Sequence, residues 1–269
     1  MKTGALRIAT ATSIASILSV AASAQPMPGS IYYPNSVYFR ADLGWSGGTG
    51  ADIHDRTNNN LTVNPLSAIV GSGGHAGTLN DIGDGWFGGV GAGMQFTPYF
   101  RGDIVYTWRG DYRFDALDEA NTRFKSDIHS NSVMVNGYFD YPMEGVVPYL
   151  GFGLGWSDVQ MGDLSAASTL AVNPLVMVNP HIVNSTTTTI AVAPGGSSDN
   201  FAWQIMVGAG IPVSPGVVFD VFYRYFDGGT MRTAAGTVLI NNTAVGTYAG
   251  VEGSLKANEL GVSIRFALD

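Results

Sequence analysis

Residues 147–156 read Val-Pro-Tyr-Leu-Gly-Phe-Gly-Leu-Gly-Trp. Leu150, Phe152, Leu154 and Trp156 occupy every second position, and Gly151, Gly153 and Gly155 fall between them. Only an extended strand sorts a period of two onto two faces, here one large and apolar and one nearly bare. Working outward, the same alternation recurs at 37–45, 86–96, 100–108, 133–141, 201–211, 217–225 and 260–266, which makes eight strands. Short connections at 97–98, 142–148 and 212–216 alternate with long ones at 47–85, 111–129, 159–199 and 227–254. The sequence therefore predicts an all-β fold, an eight-stranded antiparallel up-and-down barrel with tight turns at one end and long loops at the other.

Which face meets lipid is decided by where the rings and charges fall. Trp45, Trp86, Trp108, Trp156 and Trp203 all lie on the apolar face near a long loop, and Phe96, Phe100, Tyr141 and Phe266 lie on the same face at the opposite ends. Two such belts are the girdles of a transmembrane barrel, one at each interface. The other face carries Arg40, Arg101, Arg109, Arg224 and Arg265 against Asp42, Asp103, Asp140, Asp220 and Glu259, with no Lys and many glycines. Such a face suits a crowded interior. An eight-stranded barrel is only wide enough for its own side chains, and charges held there must pair. Shared inward phase predicts Arg224 with Glu259 and Arg101 with Asp140. Tyr38, Phe87, Tyr138, Phe222 and Phe226 also point inward, while the glycines of the second, fifth and sixth strands leave room for a side cavity.

Composition narrows the function. The chain has 269 residues, 36 Gly, 13% charged residues and no Cys, against averages of about 7% Gly and about 25% charge. Without Cys there is no disulfide, thiolate metal site or thiol nucleophile. Residues 1–24 read as a signal peptide: Lys2 and Arg7, an apolar stretch over 8–20, then Ala22-Ser23-Ala24 before Gln25. Beyond it no apolar run reaches the 18 residues of a spanning helix. Residues 25–35 are then a periplasmic lead, 36–266 the barrel and 267–269 a tail. Removing Lys2 and Arg7 with the leader takes the net charge from −8 to −10, the wrong sign for nucleic acid.

The alternation, with residues 147–156 and Phe219-Asp-Val-Phe-Tyr-Arg-Tyr-Phe-Asp227, resembles the OmpA-like eight-stranded outer-membrane barrels, particularly the porin-family surface antigens of Gram-negative alphaproteobacteria, over roughly residues 36–266. The resemblance implies the cell outer membrane, with its lipid and the barrel-assembly machinery as partners and a host or envelope partner at the extracellular loops. Such barrels usually end on an aromatic residue, whereas here Phe266 is followed by Ala267-Leu268-Asp269.

Motifs for chemistry are sparse. His54, His75, His129 and His181 fall in the long loops without metal-ligand spacing. Asp127-Ile-His-Ser-Asn-Ser132 is similar to the His and Ser of membrane lipid-A deacylases, except that their His-x-Ser step would require Ser at Asn131. The glycine runs at 88–93 and 151–155 lack the spacing of a phosphate loop, and Asp81-Ile-Gly-Asp84-Gly85 lacks that of a calcium loop. The expectation is no cofactor, no metal and no catalysis. The expected function is a surface-display barrel with partner-binding loops and a charge-paired lumen. The alternatives are a small porin-like channel or ligand conduit and, last, a membrane-embedded enzyme.

Overall fold

The computed structural model describes residues 36–48, 54–55, 83–117, 123–172, 185–240, 242–248 and 250–268. The segments expected as leader (1–24) and periplasmic lead (25–35), with His75, His181 and most of 49–82, lie outside the described residues. In chain order the strands are β1 (Val37–Gly48), β2 (His54–Asp55), β3 (Asp84–Thr97), β4 (Phe100–Leu117), β5 (Arg123–Asp140), β6 (Val147–Met161), β7 (Leu164–Val172), β8 (Ser185–Ala193), β9 (Gly196–Ser214), β10 (Val217–Arg232), β11 (Gly236–Ile240), β12 (Thr243–Tyr248) and β13 (Val251–Leu268). Eight of them close a ring in the order β1-β3-β4-β5-β6-β9-β10-β13, every neighbour antiparallel, with β13 returning to β1. Closure leaves the wall no unpaired edge, the condition for backbone to cross a bilayer as sheet.

Alternation sets the two faces along each strand. On β3, Trp86 and Val90 are about 60% exposed while Phe87 between them is fully buried. Trp86 and Phe96 stand ten residues apart on β3, which at ~3.3 Å per residue and ~40° of tilt separates the two belts by about 25 Å, the height of a hydrocarbon band. Phe96 stacks on Phe100 at 5.6 Å between ring centroids and Phe139 packs tilted against Phe100 at 5.5 Å, forming part of the lower belt.

Several expectations are corrected. The long loop expected at 111–129 is largely strand, because β4 runs to Leu117 and β5 starts at Arg123; those at 159–199 and 227–254 contain β7, β8, β11 and β12. Above the lipid the outward positions are polar, so strands persist there while the apolar alternation that advertised them is lost. Trp108, Trp156 and Trp203 consequently sit within strands and not at their ends, and Trp203 is half-buried against Tyr225 at 5.5 Å. His129 lies in β5 and His54 in β2, not in loops.

At the periplasmic end Pro148 belongs to β6 and Pro212 to β9, the latter where the register slips beside Val217 and Val218, one of the places where a ladder tolerates a missing N–H. The turns themselves are made by Gly145 (φ 78°) and Gly216 (φ 74°), in the left-handed region that glycine adopts without strain. Ala267 and Leu268 continue β13, opposite Tyr38 and Val37, and are not a free tail.

Candidate functional site

The interior holds all ten charges of the inward face, each at 6% exposure or less. They form two clusters. In the periplasmic half Asp103 is a hub. Its Oδ2 accepts from Arg40 Nη1 at 2.9 Å and from the Tyr38 hydroxyl at 3.0 Å. Its Oδ1 accepts from Asn136 Nδ2 at 2.8 Å and from the Tyr138 hydroxyl at 3.2 Å. Arg40 also holds Asp42 at 2.9 Å, Arg101 Nε lies 3.1 Å from Asp140, and Arg265 grips Asp220 through two bonds of 2.8 and 2.9 Å.

In the outer half Glu259 receives Arg109 Nε at 2.6 Å on Oε1 and Arg224 Nε on Oε2, with Ser46 Oγ donating to Oε1 at 3.0 Å. Arg109 uses Nη1 on Ser132 at 2.7 Å, and Ser46 bonds Tyr112. Two Arg against one Glu leave this cluster at +1. Three Arg against four Asp leave the other at −1. Arg101, Arg109 and Arg224 each have an Nη2 without a hydrogen-bond partner among the described residues. Each guanidinium instead lies over a ring, at 3.8 Å from Tyr138, 3.6 Å from Phe226 and 4.6 Å from Phe87 respectively, so cation–π attraction replaces part of the lost hydration.

Phe87 and Phe222, 6.1 Å apart and both buried, stand between the clusters, with Arg224 on one side and Arg40 on the other within 6.0 Å of the Phe222 ring. Above Glu259 the lumen is closed again by Ile128, Val159, Met161, Met231 and Leu255, all at 3% exposure or less. This apolar cap was not among the expected site residues. For Ile128, Val159 and Met161 the inward phase of β5 and β6 simply continues upward. Tyr112 and Met231 are inward because the register slips between Arg109 and Tyr112 and between Asp227 and Gly229, and a bulge inverts the phase.

The expected side cavity beneath the glycines is filled. β3 separates β1 from β4, and the middle of its inner face is Gly89, Gly91 and Gly93; Tyr38 and Arg40 reach across it to Asp103. β6 separates β5 from β9 in the same way, and over Gly153 the Gln204 amide donates to Asn136 Oδ1 at 2.6 Å. A Cβ at Gly153 would overlap Asn136 Oδ1 and lie 2.9 Å from Gln204 Cγ, whereas at outward-facing Gly88 the nearest atom is 4.0 Å away. Gly153→Ala is therefore expected to cost about 1–3 kcal/mol by overpacking, with Gly88→Ala within about 0.5 kcal/mol of the parent. Urea unfolding in lipid vesicles separates the two, and equal midpoints would refute the spacer role.

The residues similar to a His/Ser pair are split by the strand. His129 sits on the outer face of β5, while Ser130 and Ser132 are buried inside on Ser157 and Arg109. Among the described residues no group of three or more acidic or His side chains is placed to hold a metal.

A closed eight-stranded wall with two aromatic belts and a filled, charge-paired interior defines a small outer-membrane barrel. The family model described as "Outer membrane protein beta-barrel domain" matches residues 12–266, and the chain belongs to that family. It is a protein of the Gram-negative outer membrane. It is 27% identical over 171 residues to outer membrane protein PagN of Salmonella typhimurium, a match that takes in 58% of this chain and 63% of PagN, so the chain spans less than two thirds of that relative. Similar solved structures include Neisserial surface protein A (TM-score 0.45, 15% identity, covering 86% of this chain and 96% of that one). Another is OprG from Pseudomonas aeruginosa (TM-score 0.42, 11% identity, covering 87% and 97%).

Proposed function

We propose that the protein is a display scaffold, exported by its leader, whose rigid barrel holds extracellular β-structure at the cell surface and carries no solute. The observation that supports this reading is the filled lumen: two charged clusters, a Phe87–Phe222 layer between them and an apolar cap leave no continuous water path among the described residues. A small channel would need at least one of those layers to part. Refolded barrel in planar bilayers is expected to show no steady conductance, and large, stable porin-like steps would overturn the scaffold reading.

The display half of the reading has its own test. β7 and β8 leave and rejoin the wall where Met161 faces Gly196 across β6 and β9, so a tight turn can replace residues 164–193. The shortened barrel is expected to keep heat-modifiable migration, the unboiled sample running apart from the boiled one. Partner contact should go with the excised strands, as expected of function carried on a rigid wall. Loss of heat modifiability would show those strands to be part of the barrel's stability instead.

A further inference from the structure

Between the two aromatic belts the lipid face carries a groove of about 840 Å³ along β5 and β6, within the ~300–1,000 Å³ of small-ligand sites. Its cause is a low floor. Outward on β5 stand Val133 and Val135, which are short, and Gly137, which is bare. Phe152 and Trp156 of β6 and Phe201 of β9 rise beside this floor, each at least half exposed, and Phe100 of the lower belt closes the far end. The protein does not fill the space itself. A Cβ at Gly137 would meet nothing nearer than the Phe100 ring at 3.7 Å, whereas at Gly102, directly opposite on β4, the Phe96 ring already stands at 3.2 Å.

What covers the groove follows from its place in the band that faces hydrocarbon. Its outward side chains offer one polar atom, Trp156 Nε1, and this donates to Asp199 Oδ1 at 3.4 Å. A peptide or polar ligand finds no hydrogen-bond partner there. Two convex barrels touch along a line and leave a furrow empty, whereas a polymethylene chain lies along it and gains dispersion contacts on both sides. Beyond the outer end the chemistry changes. Asp158, two residues past Trp156, stands directly opposite Asp199, and the register neighbours Asn131, His129 and Gln160 include no Lys or Arg. Two like charges held opposite each other repel an anionic head and attract a cationic one.

We propose that the groove holds one acyl chain of a phosphatidylethanolamine, its primary ammonium beside Asp158 and Asp199. The chain supplies the contact area, and the two carboxylates select the head, since an ammonium brings three donors as well as a positive charge. This site depends on neither the closed lumen nor the display strands.

Trp156 lines the groove and reports on it directly. Two forms of the full chain serve, one keeping Trp156 alone and one keeping Trp45 alone, the other four Trp changed to Phe; β1, which carries Trp45, lies four strands round the ring from β6. In phosphatidylcholine vesicles holding a small fraction of phosphatidylethanolamine with brominated chains, Trp156 emission is expected to be quenched at least twofold more than that of Trp45, the scale of a partly exposed ion pair. Brominated phosphatidylglycerol at the same fraction should give no such excess. Gly137→Leu, which fills the floor, is expected to abolish the excess, and Asp158→Asn with Asp199→Asn to bring phosphatidylethanolamine down to the phosphatidylglycerol level. Heat-modifiable migration of each variant shows that the barrel is folded. Equal quenching of Trp156 and Trp45, an excess that survives Gly137→Leu, or an equal excess from both lipids overturns the proposal. Quenching of Trp156 below Trp45 in every lipid also overturns it, because a second copy would then cover the groove.

Discussion

Glu259→Ala is expected to destabilise the barrel by about 3–5 kcal/mol, enough to abolish folding in a marginally stable variant. The carboxylate is fully buried and, among the described residues, is the one acidic partner of both Arg109 and Arg224. Removing it strands two cations in a lumen from which their hydration cannot be recovered, and leaves the Ser46 hydroxyl with Tyr112 alone. The informative comparison is the combined variant Glu259→Leu, Arg109→Met, Arg224→Leu. Replacing a whole buried ion cluster with apolar groups of similar volume is commonly neutral or stabilising, and Phe87, Phe222 and Phe226 already line the space. Urea midpoints in vesicles should therefore place the triple variant near the parent and the single one far below. A triple variant as unstable as Glu259→Ala would show that the cluster contributes net stability, contrary to the expectation.

The contrast between what parity revealed and what it missed follows from the width of the barrel. Arg224 lies directly opposite Glu259 in the register of β10 and β13, and Asp140 is one step diagonal from Arg101 on β5. Inward phase on adjacent strands is sufficient to find such pairs. Arg109 reaches Glu259 from β4 to β13, past β3 and β1, and Arg40 reaches Asp103 past β3. These contacts depend on long side chains bridging a narrow lumen, and the second also on β3 being bare at Gly91 and Gly93 between its partners. The glycines of β3 and β6 read in the sequence as empty space because a composition lists what a residue lacks, not what a neighbour puts there. The extracellular strands were hidden for a different reason: their Ser, Thr and Ala residues give no apolar alternation once lipid is no longer the solvent on the outer face.

Asp103→Ala is expected to cost about as much as the loss of Glu259, about 3–5 kcal/mol. Four donors converge on this one carboxylate, from Arg40, Tyr38, Asn136 and Tyr138, and every one of them is at 5% exposure or less. Ala would remove this shared acceptor from all four in a region where a buried unsatisfied group costs ~1–3 kcal/mol even when neutral. Asp103→Asn keeps the shape and one accepting oxygen, and Arg40 retains Asp42, so about 1–3 kcal/mol is expected for it. Asp158 supplies the control. It projects from β6 above the Trp156 girdle directly opposite Asp199 of β9, a like-charged pair at a partly exposed position, and Asp158→Ala should fall within about 0.5 kcal/mol of the parent or be slightly stabilising. Two carboxylates of identical charge thus differ in effect because one is the acceptor for a dry network and the other faces a repelling neighbour in water. Urea unfolding of the three variants side by side checks the order, and an Asp103→Ala midpoint equal to that of Asp158→Ala would refute the hub.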